Sequence, residues 1–129
     1  MVLDASALIE VLLRMPAAAA VEARIGEARA TLQAPHLLDI EVTQVLRRFV
    51  SAGIIDEERG KAALADLVAY PLLRYPHAQL LQRVWELRGN LTAYDAAYVA
   101  LAEALDVPLL TRDRRVAAAT GHAARVYVV

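Results

Sequence analysis

Short apolar runs alternate with longer stretches of helical periodicity along the chain, and this alternation predicts strands and helices that follow each other in turn. Residues 1–3 form an apolar run that predicts a strand, and residues 5–13 predict a helix that Pro16 closes. Residues 17–30 are rich in alanine and predict a second helix, after which residues 31–34 predict a short extended segment.

The same alternation continues to the end of the chain. Further helices are predicted over residues 36–52, 56–69, 77–88, 92–105 and 114–119, and further strands over residues 71–76, 107–111 and 125–129. Strands that are separated by helices do not form hairpins and therefore pair in parallel. We expect one α/β domain with a parallel sheet over residues 1–129, because no linker or repeat divides a chain of this length.

The composition is apolar for a chain of this size, with 58% hydrophobic residues and a mean hydropathy of +0.37, and much of the excess is alanine. Charged residues such as Glu10, Arg14 and Glu22 interrupt each apolar stretch before it reaches the roughly 18 residues that cross a membrane. Asp4 and Glu10 also stand where a secretory signal would have its basic region and its apolar core. We therefore expect no membrane span and a cytoplasmic location.

Side-chain chemistry limits the kinds of site that the chain can build. There is no cysteine, which excludes disulfides and thiolate ligands and leaves oxygen or imidazole to hold a metal. His36, His77 and His122 are scattered, and this spacing predicts surface or capping roles rather than a metal site. Tyr94 and Tyr98 are candidates for stacking on nucleic acid bases, and we expect Tyr94 to be exposed and Tyr98 to lie in the core.

The charge distribution gives only local support for nucleic acid binding. The net charge is −1, which argues against binding through a general positive field. Local arginines would have to serve instead, and two clusters exist, Arg47 with Arg48 and Arg112 with Arg114 and Arg115. Each cluster taken alone is equally explained as a solvated helix face.

Two aspartates stand where predicted strands end. Asp4 directly follows the first strand, and Asp113 lies two residues after the strand over 107–111. Ligands of open α/β sheets bind beyond the carboxyl ends of strands, which is where both carboxylates are expected. Each aspartate alone is also explained as the cap of the next helix, because its side chain accepts hydrogen bonds from free backbone N–H groups.

Two further acids lie on the first turns of predicted helices, beside apolar positions. Glu41 flanks the apolar stripe of the helix over 36–52, and Asp95 shares its helix face with apolar side chains. An ionised carboxylate is expensive to bury without a partner, although Thr92, three residues before Asp95, offers a capping explanation. Asp39 points away from the stripe, and we expect it to be an ordinary exposed acid.

Asp4, Glu41, Asp95 and Asp113 together predict a metal site. Carboxylates gathered at close range repel each other and do not all ionise unless a cation neutralises them. Magnesium and manganese prefer oxygen ligands and are held by a few carboxylates together with substrate phosphates. Such ions activate a water and stabilise an in-line displacement at phosphorus.

Four stretches of the chain, in order, resemble the motifs of the PIN-domain ribonucleases, and in particular the VapC toxins of bacterial toxin-antitoxin pairs. The stretches are residues 2–7 (VLDASA), 41–48 (EVTQVLRR), 91–102 (LTAYDAAYVALA) and 108–113 (PLLTRD), of which the third is the most specific. The resemblance implies a three-layer PIN-like fold whose central parallel sheet has the strand order 3-2-1-4-5 and is flanked by helices. This order would place Asp4 and Asp113 side by side.

An activity and a set of partners are implied by the same resemblance. The chain would be a metal-dependent endoribonuclease that uses Mg2+ or Mn2+, and the toxin component of a toxin-antitoxin system. It would form a homodimer and bind a cognate VapB-like antitoxin whose tail occupies the active-site groove. Asp4, Asp95 and Asp113 would bind the metal directly or through water, and Glu41 would complete the cage or position the nucleophile.

The resemblance also suggests substrate-binding residues. Ser6 and Thr111 would orient ligands or bind substrate, although each is equally explained as a hydroxyl at a helix start. Arg112, Arg114 or Arg115 would bind the phosphate backbone of RNA.

Two other classes of function remain open from the sequence. An aspartate-based phosphotransfer domain is disfavoured, because a phosphatase of this kind needs a second aspartate where the chain has Ser6, and a receiver needs a lysine near the site, whereas Lys61 lies in a mid-chain helix. A non-catalytic interaction module of the same fold would use the four acids as helix caps and the surplus apolar residues as an interface.

Overall fold

The protein is described here by a computed structural model that covers residues 1–29 and 31–129. Its strands are β1 (Val2–Leu3), β2 (Gln33–Pro35), β3 (Leu73–Tyr75), β4 (Leu109–Thr111) and β5 (Val126–Val128). Its helices are α1 (Ala5–Leu13), α2 (Ala18–Ala28), α3 (Leu37–Ser51), α4 (Glu57–Ala69), α5 (Leu81–Glu86), α6 (Ala93–Leu105) and α7 (Arg114–Ala118). A single 3-10 turn, Ala78–Leu80, precedes α5.

The five strands form one parallel sheet in the order β3-β2-β1-β4-β5, so the predicted order 3-2-1-4-5 is confirmed. β1 is central and pairs with β2 on one side and with β4 on the other, where Leu3 is opposite Leu110. The chain winds in opposite directions on the two sides of β1, so the order reverses between β1 and β4. In open α/β sheets this reversal opens a crevice at the carboxyl ends of the strands.

Helices cover both faces of the sheet. Successive side chains of a strand point to opposite faces of the sheet. In β1 both Val2 and Leu3 are at most 1% exposed, and the same holds for Leu109 and Leu110 in β4. Sheets whose strands are all parallel are usually buried on both faces in this way. No helix within residues 1–29 and 31–129 combines the length and the apolar character needed to cross a membrane.

The observed elements are shorter than predicted where proline is present. The strand predicted over 71–76 shortens to β3, and the strand predicted over 107–111 shortens to β4. Pro71, Pro76 and Pro108 lack the N–H group that other residues donate to the ladder of a strand. The helix predicted over 77–88 divides into the 3-10 turn and α5.

The alanine-rich helix is also shorter than its prediction over residues 17–30. α2 ends at Ala28, and Arg29 after it has a left-handed backbone with φ 42°. Ala30, the last residue of the predicted helix, lies outside the described residues.

Candidate active site

Asp4 is held at the carboxyl end of the central strand. It follows β1 directly and caps α1, since its Oδ1 accepts a hydrogen bond from the Ala7 N–H at 3.0 Å. The Ser6 hydroxyl donates to the same oxygen at 2.6 Å, and the Thr111 hydroxyl donates to Oδ2. The residue is only 8% exposed, so three donors fix the carboxylate at the base of the crevice.

The pKa of the Asp4 carboxyl is raised, and burial is the main cause. The charge of Asp95 raises it further, whereas the hydrogen bonds from the two hydroxyls and from Ala7 act in the opposite direction. An ionised Asp4 is therefore costly in this position unless a positive charge lies nearby.

Glu41 reaches the same crevice from α3. Its Oε2 accepts a hydrogen bond from the Tyr98 hydroxyl at 2.5 Å, and Tyr98 is itself only 3% exposed. Burial raises the pKa of the Glu41 carboxyl, the bond from Tyr98 opposes the rise, and the charges of Asp4 and Asp95 add to it. Burial also raises the pKa of Tyr98, so its hydroxyl keeps the proton that it donates.

Asp95 lies in the first turn of α6, where its backbone N–H donates to the Thr92 hydroxyl at 3.2 Å. Thr92 is therefore the helix cap, and the Asp95 carboxylate remains available to the crevice. Its pKa is raised mainly by burial and further by the charge of Asp113, while Thr92 and Arg115 lower it.

Asp113 follows β4 and caps α7 by accepting from the Arg115 N–H at 2.8 Å. The Arg115 guanidinium also binds this carboxylate, with Nη2 2.7 Å from Oδ2, and this pairing lowers the pKa of Asp113. Its carboxylate therefore differs from the other three acids, whose pKa values are raised.

All four acids line one open groove of about 690 Å3. The charge of Asp95 raises the pKa of Asp4 and of Glu41, and the charge of Asp4 also raises the pKa of Glu41. The charge of Asp113 in turn raises the pKa of Asp95, so the four carboxylates form one electrostatic cluster. The structure thus brings together the four acids that the sequence singles out.

The donor set suits a hard divalent cation. Three of the four carboxylates have raised pKa values, and a cation in the groove would relieve both the repulsion and the cost of burial. In their present positions no three carboxylates or imidazoles of the described residues are close enough to hold an ion. Asp113 is paired with Arg115, so its side chain would have to turn away from that arginine to bind a metal.

Comparison with known proteins agrees with this geometry. The model of the PIN domain matches residues 1–121. The chain belongs to the PIN-domain family. The ribonuclease VapC1 of Mycobacterium tuberculosis is 49% identical over 121 residues, which cover 93% of this chain and 90% of VapC1. Within the family this PIN domain therefore belongs with the VapC ribonucleases.

Two further comparisons match nearly the whole chain. Ribonuclease VapC12 of Mycobacterium tuberculosis is 42% identical over 129 residues, covering 99% of this chain and 98% of VapC12. The crystal structure of VapBC2 from Rickettsia felis, bound to a DNA fragment from its promoter, matches with a TM-score of 0.72. The match covers 98% of this chain and 96% of that chain, and at 12% identity it shows a shared fold alone.

The two predicted substrate-binding hydroxyls of this PIN domain lie behind Asp4. Besides its bond to Asp4, the Thr111 hydroxyl accepts from the Asp113 N–H at 2.9 Å, and the Ser6 hydroxyl accepts from the Arg112 N–H at 2.9 Å. Both therefore connect the start of α1 with the loop after β4. Ser6 also lines the groove, whereas Thr111 is fully buried.

The three predicted arginines of the PIN domain lie in different places. Arg115 lines the groove beside Asp113. Arg114 is exposed and does not line the groove. The Arg112 side chain turns away from the groove, because its Nε lies 3.3 Å from Glu10 and its Nη1 donates to the Val129 carbonyl oxygen at 3.2 Å.

Glu10 is a buried charge that sequence reasoning missed. It is 6% exposed, and besides Arg112 it accepts a hydrogen bond from the Ala17 N–H at 3.0 Å. A charged residue among the apolar positions of α1 is a signal that could have found it. Glu10 thus fixes the side chain of Arg112, the residue next to Asp113.

We expect Glu10→Ala to lower the free energy of unfolding of the PIN domain by about 1–3 kcal/mol, because Arg112 and the Ala17 N–H both lose their partner. Urea unfolding measures this change. Glu22→Ala is the matched control, since Glu22 is exposed on α2 and should change stability by no more than about 0.5 kcal/mol. Equal effects of the two substitutions would contradict a supporting role for Glu10.

The structure corrects the prediction for Asp39 and adds to that for the histidines. Asp39 is partly buried and binds Arg74, whose Nε lies 2.8 Å from Oδ2, so it is not an ordinary exposed acid. His36 and His77 are exposed, as predicted, but their rings meet edge to face with centroids 6.5 Å apart. They follow β2 and β3, which are neighbours in the sheet, and sequence separation concealed this contact.

Proposed function

We propose that this PIN domain is an endoribonuclease that requires Mg2+ or Mn2+ and acts as the toxin of a toxin-antitoxin pair. The observation that carries the proposal is the convergence of Asp4, Glu41, Asp95 and Asp113 on one groove. The names of VapC1 and VapC12, both ribonucleases, support RNA as the substrate. We further propose that residues 1–129 act as one PIN domain.

Asp4, Asp95 and Asp113 would hold the metal, and Glu41 would complete the set or orient the attacking water. When bound, the ion would polarise that water and stabilise the charge that develops on the phosphate. Tyr98 holds the Glu41 carboxylate in its orientation through the bond to Oε2.

Direct substrate contacts are proposed for Arg114 and Arg115, at the start of α7, and supporting roles for Ser6, Thr111 and Arg112. Ser6 and Thr111 would act mainly by orienting Asp4, since each already donates to it. Arg115 would release Asp113 to the metal and bind a phosphate oxygen, and Arg114 would contact the backbone further out. Arg112 would contribute by keeping the loop in place through Glu10.

The alternatives have less support. Lys61 lies on α4 and pairs with Glu57 and Glu58, so it does not serve as the lysine of a phosphate receiver. The Ser6 hydroxyl occupies the place of the second aspartate of a phosphatase and binds Asp4. A purely structural module would retain the cost of the clustered, partly buried carboxylates without any function for them.

The partners are a proposal as well. The VapBC2 complex favours a VapB-like antitoxin, and the apolar wall of the groove, which includes Leu37 and Val45, suits a peptide tail of such a partner. A homodimer would cover apolar side chains such as Leu81 and Trp85 on α5, which are 57% and 67% exposed. The proposed location is the cytoplasm.

Purified protein should cleave RNA when Mg2+ or Mn2+ is added and should stop when EDTA removes the metal. The measurement is the appearance of defined RNA fragments on a denaturing gel, together with Mn2+ binding by titration calorimetry. Expression of the chain should arrest growth, and co-expression of its antitoxin should relieve the arrest. Absence of both Mn2+ binding at millimolar concentration and RNA cleavage would refute the proposal.

A further inference from the structure

Each of the two helices that carry a groove carboxylate in its first turns also exposes a large apolar side chain immediately before it. Ile40 precedes Glu41 on α3, and Tyr94 precedes Asp95 on α6. Ile40 is 71% exposed and Tyr94 is 62% exposed, and both line the same groove as the acids. The rim of the groove therefore presents an aliphatic surface and an aromatic ring next to the carboxylates.

Tyr94 is held on a well-defined backbone and has a free ring. The Thr92 cap fixes the first turn of α6, so the position of the ring depends on side-chain rotation alone. In the part of the chain that the structure describes, neither an aromatic ring nor a cation stacks on Tyr94. The ring is therefore available to stack on the planar face of a ligand in the groove.

Arg48 places a positive charge in the same groove. It is exposed, it lines the groove, and within residues 1–29 and 31–129 it makes no ion pair. It follows Glu41 by seven residues on α3, which is about two helical turns or ~10 Å along the helix. The groove thus has the acids and the paired Arg115 at one end, Arg48 about two helical turns away, and apolar side chains at its rim.

We propose that Tyr94 and Ile40 bind the base of a nucleotide beside the cleaved phosphate, and that Arg48 binds a phosphate further along the same strand. This inference rests on the proposed ribonuclease function. A nucleic acid strand matches the groove because it alternates charged phosphates with apolar base faces, which are the two chemistries present. A base that stacks on Tyr94 has to leave its own helical stack, so the contacted nucleotide is unpaired.

The first test is a comparison of RNA substrates and Tyr94 variants. In a short RNA that the wild-type protein cleaves, Tyr94→Ala should raise KM roughly 5- to 160-fold, the range expected for one stacked base, and should change kcat less. Tyr94→Phe keeps the ring and should restore KM to within a few fold of wild type. Mn2+ affinity, measured by calorimetry, should be unaltered in both variants because Tyr94 supplies no carboxylate.

Abasic nucleotides make the test specific for stacking. Removing the contacted base from the RNA should raise KM for the wild-type protein but should add little to the effect of Tyr94→Ala. If Tyr94→Ala and removal of a base raise KM by factors that multiply at every abasic position, the inference is overturned, since Tyr94 and the base would then act independently. A Tyr94→Ala variant with unchanged KM but weaker antitoxin binding would also overturn it and assign the rim to the peptide partner.

Arg48 has a matched control in its neighbour. Arg47 is also exposed on α3 but does not line the groove. Arg48→Gln should reduce by about one the slope of log affinity against log salt concentration, as expected for one lost phosphate contact. Arg47→Gln should leave the slope close to the wild-type value, and equal slopes for the two variants would count against the proposed path.

The failure of this inference is distinguishable from failure of the proposed function. If wild-type protein binds Mn2+ and cleaves RNA while all Tyr94 and Arg48 variants keep wild-type KM, only the base-binding rim is refuted. If wild-type protein neither binds Mn2+ nor cleaves RNA, the ribonuclease proposal fails and the inference falls with it.

Discussion

Asp4→Asn should lower the rate of RNA cleavage at least ~100-fold, because loss of residues that only support a metal ligand already costs about 10–100-fold in metal affinity or activity. The asparagine has one carbonyl oxygen and no charge, so it binds a divalent cation poorly. The fold should be retained, since that oxygen can still accept the Ala7 N–H bond that begins α1. Cleavage assays with Mn2+ and far-UV circular dichroism measure the two effects.

The stability of the metal-free protein gives an independent control for Asp4→Asn. Burial raises the pKa of Asp4, so the folded protein binds protons more tightly than the unfolded chain, and wild-type stability in EDTA should rise as the pH falls through the raised pKa. Asp4→Asn should lose that part of the rise. Asp66→Asn, at an exposed position on α4, should change neither cleavage nor this pH dependence. Full cleavage activity in Asp4→Asn would show that the metal lies elsewhere.

Hydrophobic patterning predicts which elements exist, and the sheet order requires more than that. Alternation of short apolar runs with amphipathic stretches is a local property of the chain, and it identifies all five strands. The order 3-2-1-4-5 depends on which strands pair across long separations, such as β1 with β4, and only the resemblance to PIN domains implied it. Element ends were least predictable where Pro71 and Pro108 remove ladder hydrogen bonds.

The acids of the site could be predicted because burying a charge is costly. Glu41 and Asp95 stand out by lying beside apolar positions of their helices, and Asp4 and Asp113 by following strands. What the sequence does not predict is the direction in which long side chains turn. Arg112 follows Thr111 in the loop but points toward Glu10, a residue about one hundred positions earlier, and such a choice depends on the packed surroundings of both residues.

The hydroxyl of Thr111 has the most demanding position in the site. It is fully buried, donates to Asp4 Oδ2, and accepts from the Asp113 N–H at 2.9 Å, so one oxygen atom joins the ends of β1 and β4. The order of the sheet makes this possible, because the two strands are direct neighbours. Asp4 is therefore oriented by a residue that would bind neither metal nor RNA itself.

Thr111→Val should weaken Mn2+ binding about 10- to 100-fold, the usual effect of losing a group that orients a metal ligand. It should also lower the free energy of unfolding by about 1–3 kcal/mol, because the Asp113 N–H and an Asp4 oxygen lose their partner in a buried place. Valine has the same branched shape, so packing is preserved and the hydroxyl alone is tested. Titration calorimetry and urea unfolding measure the two effects, and Thr111→Ser, which keeps the hydroxyl, should retain most of the Mn2+ affinity. If serine and valine weaken binding equally, shape rather than hydrogen bonding at position 111 orients Asp4.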